Sequence, residues 1–147
     1  MIIRKAIPQD VTQLVDLCAA HAAYERLGFD KSNKKEMLSR QLFFMENNIQ
    51  CLVVEKNNQL MGYATYMKQF STWDAGFYVY LDCLFLKVDI RGKGIGNQLM
   101  RRVQEYAIAE NCIQIQWQTP DFNTQAINFY KRLGAQLKTK ERFFWKV

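Results

Sequence analysis

Three glycines at alternate positions carry the first chemical signal, in the stretch Arg91-Gly92-Lys93-Gly94-Ile95-Gly96. An apolar run from Tyr78 to Val88 precedes them. Ile95, Leu99, Val103 and Ala107, with Met100 beside them, follow at helical spacing. A strand therefore feeds a glycine-rich turn that opens a helix. Glycine lets backbone approach a ligand closely, and the free N–H groups of a helix start attract anions. The expected ligand bears phosphate. A P-loop needs Ser or Thr after Gly-Lys, but Lys93 is followed by Gly94. The dinucleotide fingerprint needs G-x-G-x-x-G, which alternate glycines do not supply. A turn that only redirects the chain has the same composition, so the surrounding residues must decide.

Few other side chains are equipped for chemistry. His21 is the only histidine, which excludes a histidine-rich metal site. No nucleophile-elbow motif accompanies it, and it reads as a helix-face residue. Asp82 interrupts the apolar segment Tyr80-Leu81-Asp82-Cys83-Leu84, where an unpaired carboxylate would be costly. It is either functional or a strand-end carboxylate in water. Tyr130, beside Phe129, is equally a core aromatic. Glu25, at a helix end, either meets substrate or is solvated. Cys18, Cys51, Cys83 and Cys112 are far apart in apolar segments, which favours buried thiols over disulfides or a metal site.

The elements that must position these groups are legible as patterns. Ile2 to Ala6 reads as a strand. Asp10 with Gln13 forms a capping box for a helix to about Glu25, facing inward with Val11, Leu14, Val15, Cys18 and Ala22. A second helix, capped by Ser32 or Asn33, ends near Glu46. Strands at Cys51–Glu55 and Met61–Phe70 flank the turn Asn57-Asn58, and Tyr78–Val88 returns antiparallel. After the long helix come an alternating strand from Ile113 to Thr119, a short helix capped by Thr124, and a terminal hairpin from Gln136 to Val147. The order β-α-α-β-β-β-α-β-α-β implies a mixed α/β sheet, and 147 residues imply one domain, 1–147. The net charge of +6 is spread over separate basic pairs rather than a stripe, so nucleic acid is not the expected partner. No apolar run is long enough to span a membrane. Met1-Ile2-Ile3-Arg4-Lys5 lacks the charged-then-apolar order of a secretory leader, and a cytoplasmic location is expected.

The pattern Arg-x-x-Gly-x-Gly between strand and helix resembles the pyrophosphate loop of the GCN5-related N-acetyltransferase (GNAT) superfamily. A second stretch strengthens the resemblance. Asn123-Thr124-Gln125-Ala126-Ile127-Asn128-Phe129-Tyr130-Lys131-Arg132-Leu133-Gly134 is similar to that family's late segment Asn-x-x-Ala-x-x-Phe-Tyr-x-x-x-Gly. With Ala23-Tyr24-Glu25 and Tyr80-Leu81-Asp82, the pattern is nearest to the diamine and polyamine N-acetyltransferase branch.

The resemblance implies a mostly antiparallel sheet splayed at its central strands, with helices on both faces. It implies acetyl-CoA as co-substrate, with no metal. Backbone groups of Leu84, Phe85 and Leu86 would pair with the pantetheine arm. Arg91, Gly92, Lys93, Gly94, Ile95, Gly96 and Asn97 would hold the pyrophosphate. Asn123 and Ala126 would line the far side of the cofactor. Tyr130 would act as general acid toward the leaving sulfur, Asp82 as base, and Tyr24, Glu25 and Asp82 would face the acceptor. The implied acceptor is a primary amine of a small molecule: a diamine, polyamine, amino acid or amine-bearing antibiotic. A protein lysine or N-terminal acetyltransferase, or a CoA-binding module without turnover, are the alternatives.

The polyamine branch usually has Glu at the position of Asp82 and an acid at that of Cys83, a basic residue in place of Leu133 and Trp in place of Phe122. Fewer site acids argue for a smaller amine than a long polycation. The consecutive aromatics Phe143-Phe144-Trp145 cannot all face one core. They suggest a homodimer that uses the C-terminal residues and the Phe70–Phe77 region.

Overall fold

The computed structural model describes residues 1–147. One five-stranded sheet is built from β1 (Ile2–Lys5), β2 (Ile49–Lys56), β3 (Gln59–Ser71), β4 (Gly76–Leu86) and β5 (Ile115–Gln116) in that spatial order. The first four strands run antiparallel, and β5 lies parallel to β4. Helix α1 (Val11–Tyr24) and α2 (Lys34–Ser39), which continues into a π-helical turn, connect β1 to β2. Helix α3 (Ile95–Ala109) connects β4 to β5, and α4 (Thr124–Arg132) follows β5. Asn57 and Asn58 both adopt positive φ, 51° and 62°, so they supply the tight hairpin turn that the Asn pair favours.

Strand alternation divides the core between the two faces. Val53, Tyr63 and Phe85 pack on Leu14 and Leu17 of α1. Leu52, Val54, Ala64, Tyr66, Val79 and Leu81 pack on Ile95, Leu99, Met100, Val103 and Ala107 of α3, the face that its 3.6-residue period presents. Val79 and Leu81 thus face α3, whereas Phe85, also odd-numbered, faces α1. A β-bulge accounts for the switch: Thr65 pairs with Cys83 and Tyr66 with Leu81, leaving Asp82 unpaired.

Local details depart from the sequence pattern. Gln13 does not complete a capping box. Its side chain accepts from the Leu60 N–H at 2.8 Å and donates to the Asn58 carbonyl at 3.3 Å, tying α1 to the β2–β3 turn. Asp10 accepts from the Ile7 N–H and both terminal nitrogens of Arg4, because a carboxylate buried to 5% exposure is best satisfied by a cation. Asn123, not Thr124, caps α4. The expected terminal hairpin is absent: residues 135–147 form neither helix nor strand. Segment Lys138–Arg142 is polar, the aromatics after it do not alternate, and β5 offers only two residues as a neighbour.

Candidate active site

The catalytic possibilities of this chain converge where β4 and β5 part. Ile113 N–H donates to Phe77 C=O and Val79 N–H to Gln114 C=O, at 2.8 and 2.9 Å, and two paired residues follow. Beyond Tyr80 and Gln116 the strands diverge. The β4 edge from Leu81 to Leu86 therefore has no strand neighbour on that side. A cleft of about 360 Å³ opens there, floored by β4 and walled by the ends of α1, α3 and α4. An unpaired strand edge beside a cleft suits an extended amide-bearing ligand that pairs like an added strand.

The glycine turn closes one end of this cleft. Gly92 and Gly94 have φ of 73° and 78°, the left-handed region that penalises side chains, and Gly94 is the residue before α3. The first bond closing α3 runs from Gln98 N–H to Gly94 C=O at 3.1 Å. The amides of Ile95, Gly96 and Asn97 are left without intrahelical acceptors, a ready anion site at a helix of four turns. A side chain at Gly96 would press on the Phe129 ring at 3.1 Å, so glycine here lets α3 and α4 meet at the cleft. The side chains of Lys93, Ile95 and Asn97 lie outside the cleft wall. Lys93 donates to the Asp89 carbonyl, and Ile95 is core. Arg91 turns back over the Tyr24 ring at 4.4 Å and donates through Nε to the Leu86 carbonyl at 2.7 Å. It thereby reaches the strand edge rather than the glycine turn.

Tyr24, Glu25, Asp82, Leu84, Phe85, Leu86, Asn123, Ala126 and Tyr130 all line the cleft. Tyr130 packs edge-on against Trp117 at 5.1 Å. Burial, then the negative charge of Glu25 and the Tyr24 phenol, push its pKa up to about 12. Its hydroxyl stays protonated throughout the physiological range. Asp82 is exposed, because the bulge turns its carboxylate toward Thr65 Oγ1 at 3.4 Å and Cys83 Sγ at 3.7 Å. The desolvation penalty suggested by its apolar sequence neighbours is therefore absent. Glu25 is the more enclosed carboxylate, its side chain 24% exposed. Asn123 is buried and fully engaged: Oδ1 accepts from the Tyr24 hydroxyl at 3.0 Å and the Ala126 N–H at 3.3 Å, and Nδ2 donates to Thr119. It fastens the end of α1 to the start of α4 across the cleft.

His21, which looks like an ordinary helix-face residue in the sequence, shares the wall with Trp117, Gln118, Thr119, Gln125, Phe129 and Arg132, none of which the motifs single out for the site. His21 precedes Glu25 by four residues, one helical turn, a spacing that puts both on one face. Thr119 and Gln118 end the alternating segment after β5, where nothing local announces a splay.

Comparison with known proteins agrees with this geometry. The family model of the acetyltransferase (GNAT) family matches residues 30–135. A thialysine N-epsilon-acetyltransferase from Bos taurus is 31% identical over 144 residues, covering 92% of this chain and 84% of the relative. An integron cassette protein from the mobile metagenome of V. cholerae has a similar fold, with a TM-score of 0.81 at 27% identity over 99% of this chain and 92% of the other. A possible acetyltransferase from Clostridium difficile 630 superposes with a TM-score of 0.82 at 18% identity, over 99% and 97% of the two chains. Sheet, glycine turn and late segment agree with a family match that spans most of the chain: it belongs to the acetyltransferase (GNAT) family and is an N-acetyltransferase.

Proposed function

We propose that this N-acetyltransferase moves an acetyl group from acetyl-CoA to the primary amine of a small molecule. One observation carries the reading: the Tyr130 phenol and two carboxylates, Glu25 and Asp82, share the cleft at the splayed edge of β4. The residues present fit acetyl-CoA. Backbone of Leu84, Phe85 and Leu86 would receive the pantetheine arm, the amides from Gly92 to Asn97 the pyrophosphate, and Ala126 and the Asn123 cap would bound its far side. Bound there, acetyl-CoA supplies an acyl group activated as a thioester.

The protein's own groups then divide the work. An alkylammonium has a pKa near ~10 and must lose a proton before it can attack. Asp82, open to water on its bulge, accepts that proton directly or through water. Tyr130 donates to the sulfur as it leaves. Glu25 and Tyr24 hold the amine, and an amide N–H of β4, that of Leu84, is the candidate oxyanion donor. Holding both reactants in one cleft contributes much of the rate.

The relative's name points to a thialysine-like side-chain amine as the first acceptor to try. The test is release of free thiol from acetyl-CoA across amino acids, diamines, polyamines and lysine peptides. Thiol release with small amines but not peptides supports the reading. Preference for peptides would make the enzyme a protein acetyltransferase, and saturable CoA binding without release would leave a binding module.

We further infer a homodimer and a cytoplasmic location. Four free thiols suit a reducing compartment. Phe143, Phe144 and Trp145 are 89%, 80% and 95% exposed, and Phe70, Trp73 and Phe77 crowd the tip of the β3–β4 hairpin. Apolar exposure on this scale suits an interface between two copies.

A further inference from the structure

The only histidine of the chain is bonded through both ring nitrogens. His21 Nδ1 lies 3.0 Å from the Tyr63 hydroxyl on β3, and Nε2 lies 3.1 Å from Glu25 Oε1 one turn along α1. The ring stacks on Phe85 of β4, centroids 5.1 Å apart and planes 22° from parallel. Three elements thus fix one imidazole at the wall of the cleft. Glu25, by contrast, sits just past the last turn of α1, followed by Arg26 at positive φ. A carboxylate on a helix end has several rotamers of similar energy. Its hydrogen bond to His21 selects one of them.

We propose that His21 is a positioning residue of the acetyl transfer: it holds the Glu25 carboxylate toward the acceptor amine, and Tyr63 in turn holds the imidazole. This role rests on the acetyl-transfer reading above. Burial pushes the Tyr63 phenol far above its ordinary range, with the neighbouring thiols of Cys83 and Cys18 adding to it, so the hydroxyl is a permanent donor. When Tyr63 donates to Nδ1, the ring carries its proton on Nε2 and donates to Glu25 Oε1. The other oxygen, Oε2, is left for the ammonium. Glu25 and Tyr130 line the same cleft, and after burial the Glu25 charge adds to the upward shift of that phenol. An ammonium held at Glu25 therefore arrives in the cleft that also holds the group serving the leaving sulfur. A leucine at position 21 would fill the same space against Phe85 but would release the carboxylate, so the role belongs to the nitrogens and not to the ring's bulk.

Steady-state kinetics of four variants test this. His21→Leu should raise the amine KM by roughly 10- to 100-fold, the scale of one hydrogen bond to a charged group, with the KM for acetyl-CoA unchanged. His21→Gln, whose amide can donate from nearly the same place, should recover most of that loss. Glu25→Gln should raise the amine KM as well, and the double variant His21→Leu/Glu25→Gln should be no worse than Glu25→Gln alone. Because the imidazole is unique in the chain, its ring-nitrogen NMR signals need no assignment by mutation. They should shift when amine binds and again in Tyr63→Phe and Glu25→Gln. An amine KM at the wild-type value in His21→Leu, multiplying effects in the double variant, or ring signals indifferent to Glu25→Gln would each overturn the role of His21. A wild-type protein that releases no thiol with any amine would instead overturn the reaction on which that role rests.

Discussion

Replacing Tyr130 with Phe removes one oxygen and keeps the ring. The contacts at 5.1 Å to Trp117 and 5.2 Å to Phe129 survive, so stability should change by no more than about 0.5 kcal/mol. The effect on catalysis follows from the raised phenol. With a pKa pushed up to about 12, the hydroxyl is ionised in only about one molecule in 10⁴ at pH 8, so the donor is always loaded. It is also a weaker acid than an ordinary phenol by about two units. With the proton about half transferred at the transition state, that shift reduces its contribution about tenfold. The expected loss in kcat is then roughly 10–10³, a tenth of the usual range for one proton-transfer group. Thiol release at saturating acetyl-CoA and amine reads kcat, and the KM for acetyl-CoA should stay put. Because the phenol ionises only near pH 12, the wild-type kcat should show no falling limb from Tyr130 below about pH 11. Turnover of Tyr130→Phe at the wild-type rate would reduce the residue to packing. A limb near pH 10 that vanishes in the variant would show that burial does not raise the phenol.

Asp82→Asn should lower kcat/KM most at low pH, where neutral amine is scarcest, and a pH profile superimposable on the wild type would remove Asp82 as base. Asp10→Asn should cost about 1–3 kcal/mol in urea unfolding with an unchanged m-value, since the amide oxygen can still accept from the Ile7 N–H but its NH2 group turns a donor and no charge toward the second prong of Arg4. Burial alone would push the Asp10 carboxyl up, but the Arg4 guanidinium and the Ile7 amide outweigh it and hold it below the usual range. The unfolded chain then binds its proton first, so the contribution of Asp10 is complete above about pH 4 and is lost as pH falls through the native value. The wild type but not Asp10→Asn should show that acid-side loss. Gly94→Ala, forced to φ of 78°, should cost about 1–2 kcal/mol and weaken acetyl-CoA binding by calorimetry, and unchanged affinity would mean that the turn does not hold the pyrophosphate. Light scattering over a dilution series should give a dimer mass at micromolar concentration, whereas a monomer mass would refute the pairing of aromatic surfaces.

Features that depend on local periodicity and local conformational preference are readable in the amino-acid order alone. The apolar face of α3 appears residue for residue in the core, because a 3.6-residue repeat admits one buried stripe. The Asn57-Asn58 turn and the glycine turn before α3 are fixed by backbone preferences that need no neighbours. Cleft residues carried by motifs, Tyr130 and Arg91 among them, could be named for the same reason. Features that depend on partners distant in the chain emerge only once the chain is folded. The bulge at Asp82 arises from pairing with β3 and brings the carboxylate to solvent, a change of environment that its apolar neighbours in sequence do not reveal. Gln13 forsook its helix start for the β2–β3 turn because an amide side chain serves whichever backbone group lies nearest in space. Segment 136–147 has aromatic strand-like composition yet forms no strand, since a strand exists only through the edge that it pairs with, and β5 provides two residues. His21 is the sharpest case: its spacing to Glu25 was visible, but the phenol that holds its other nitrogen lies 42 residues away on β3.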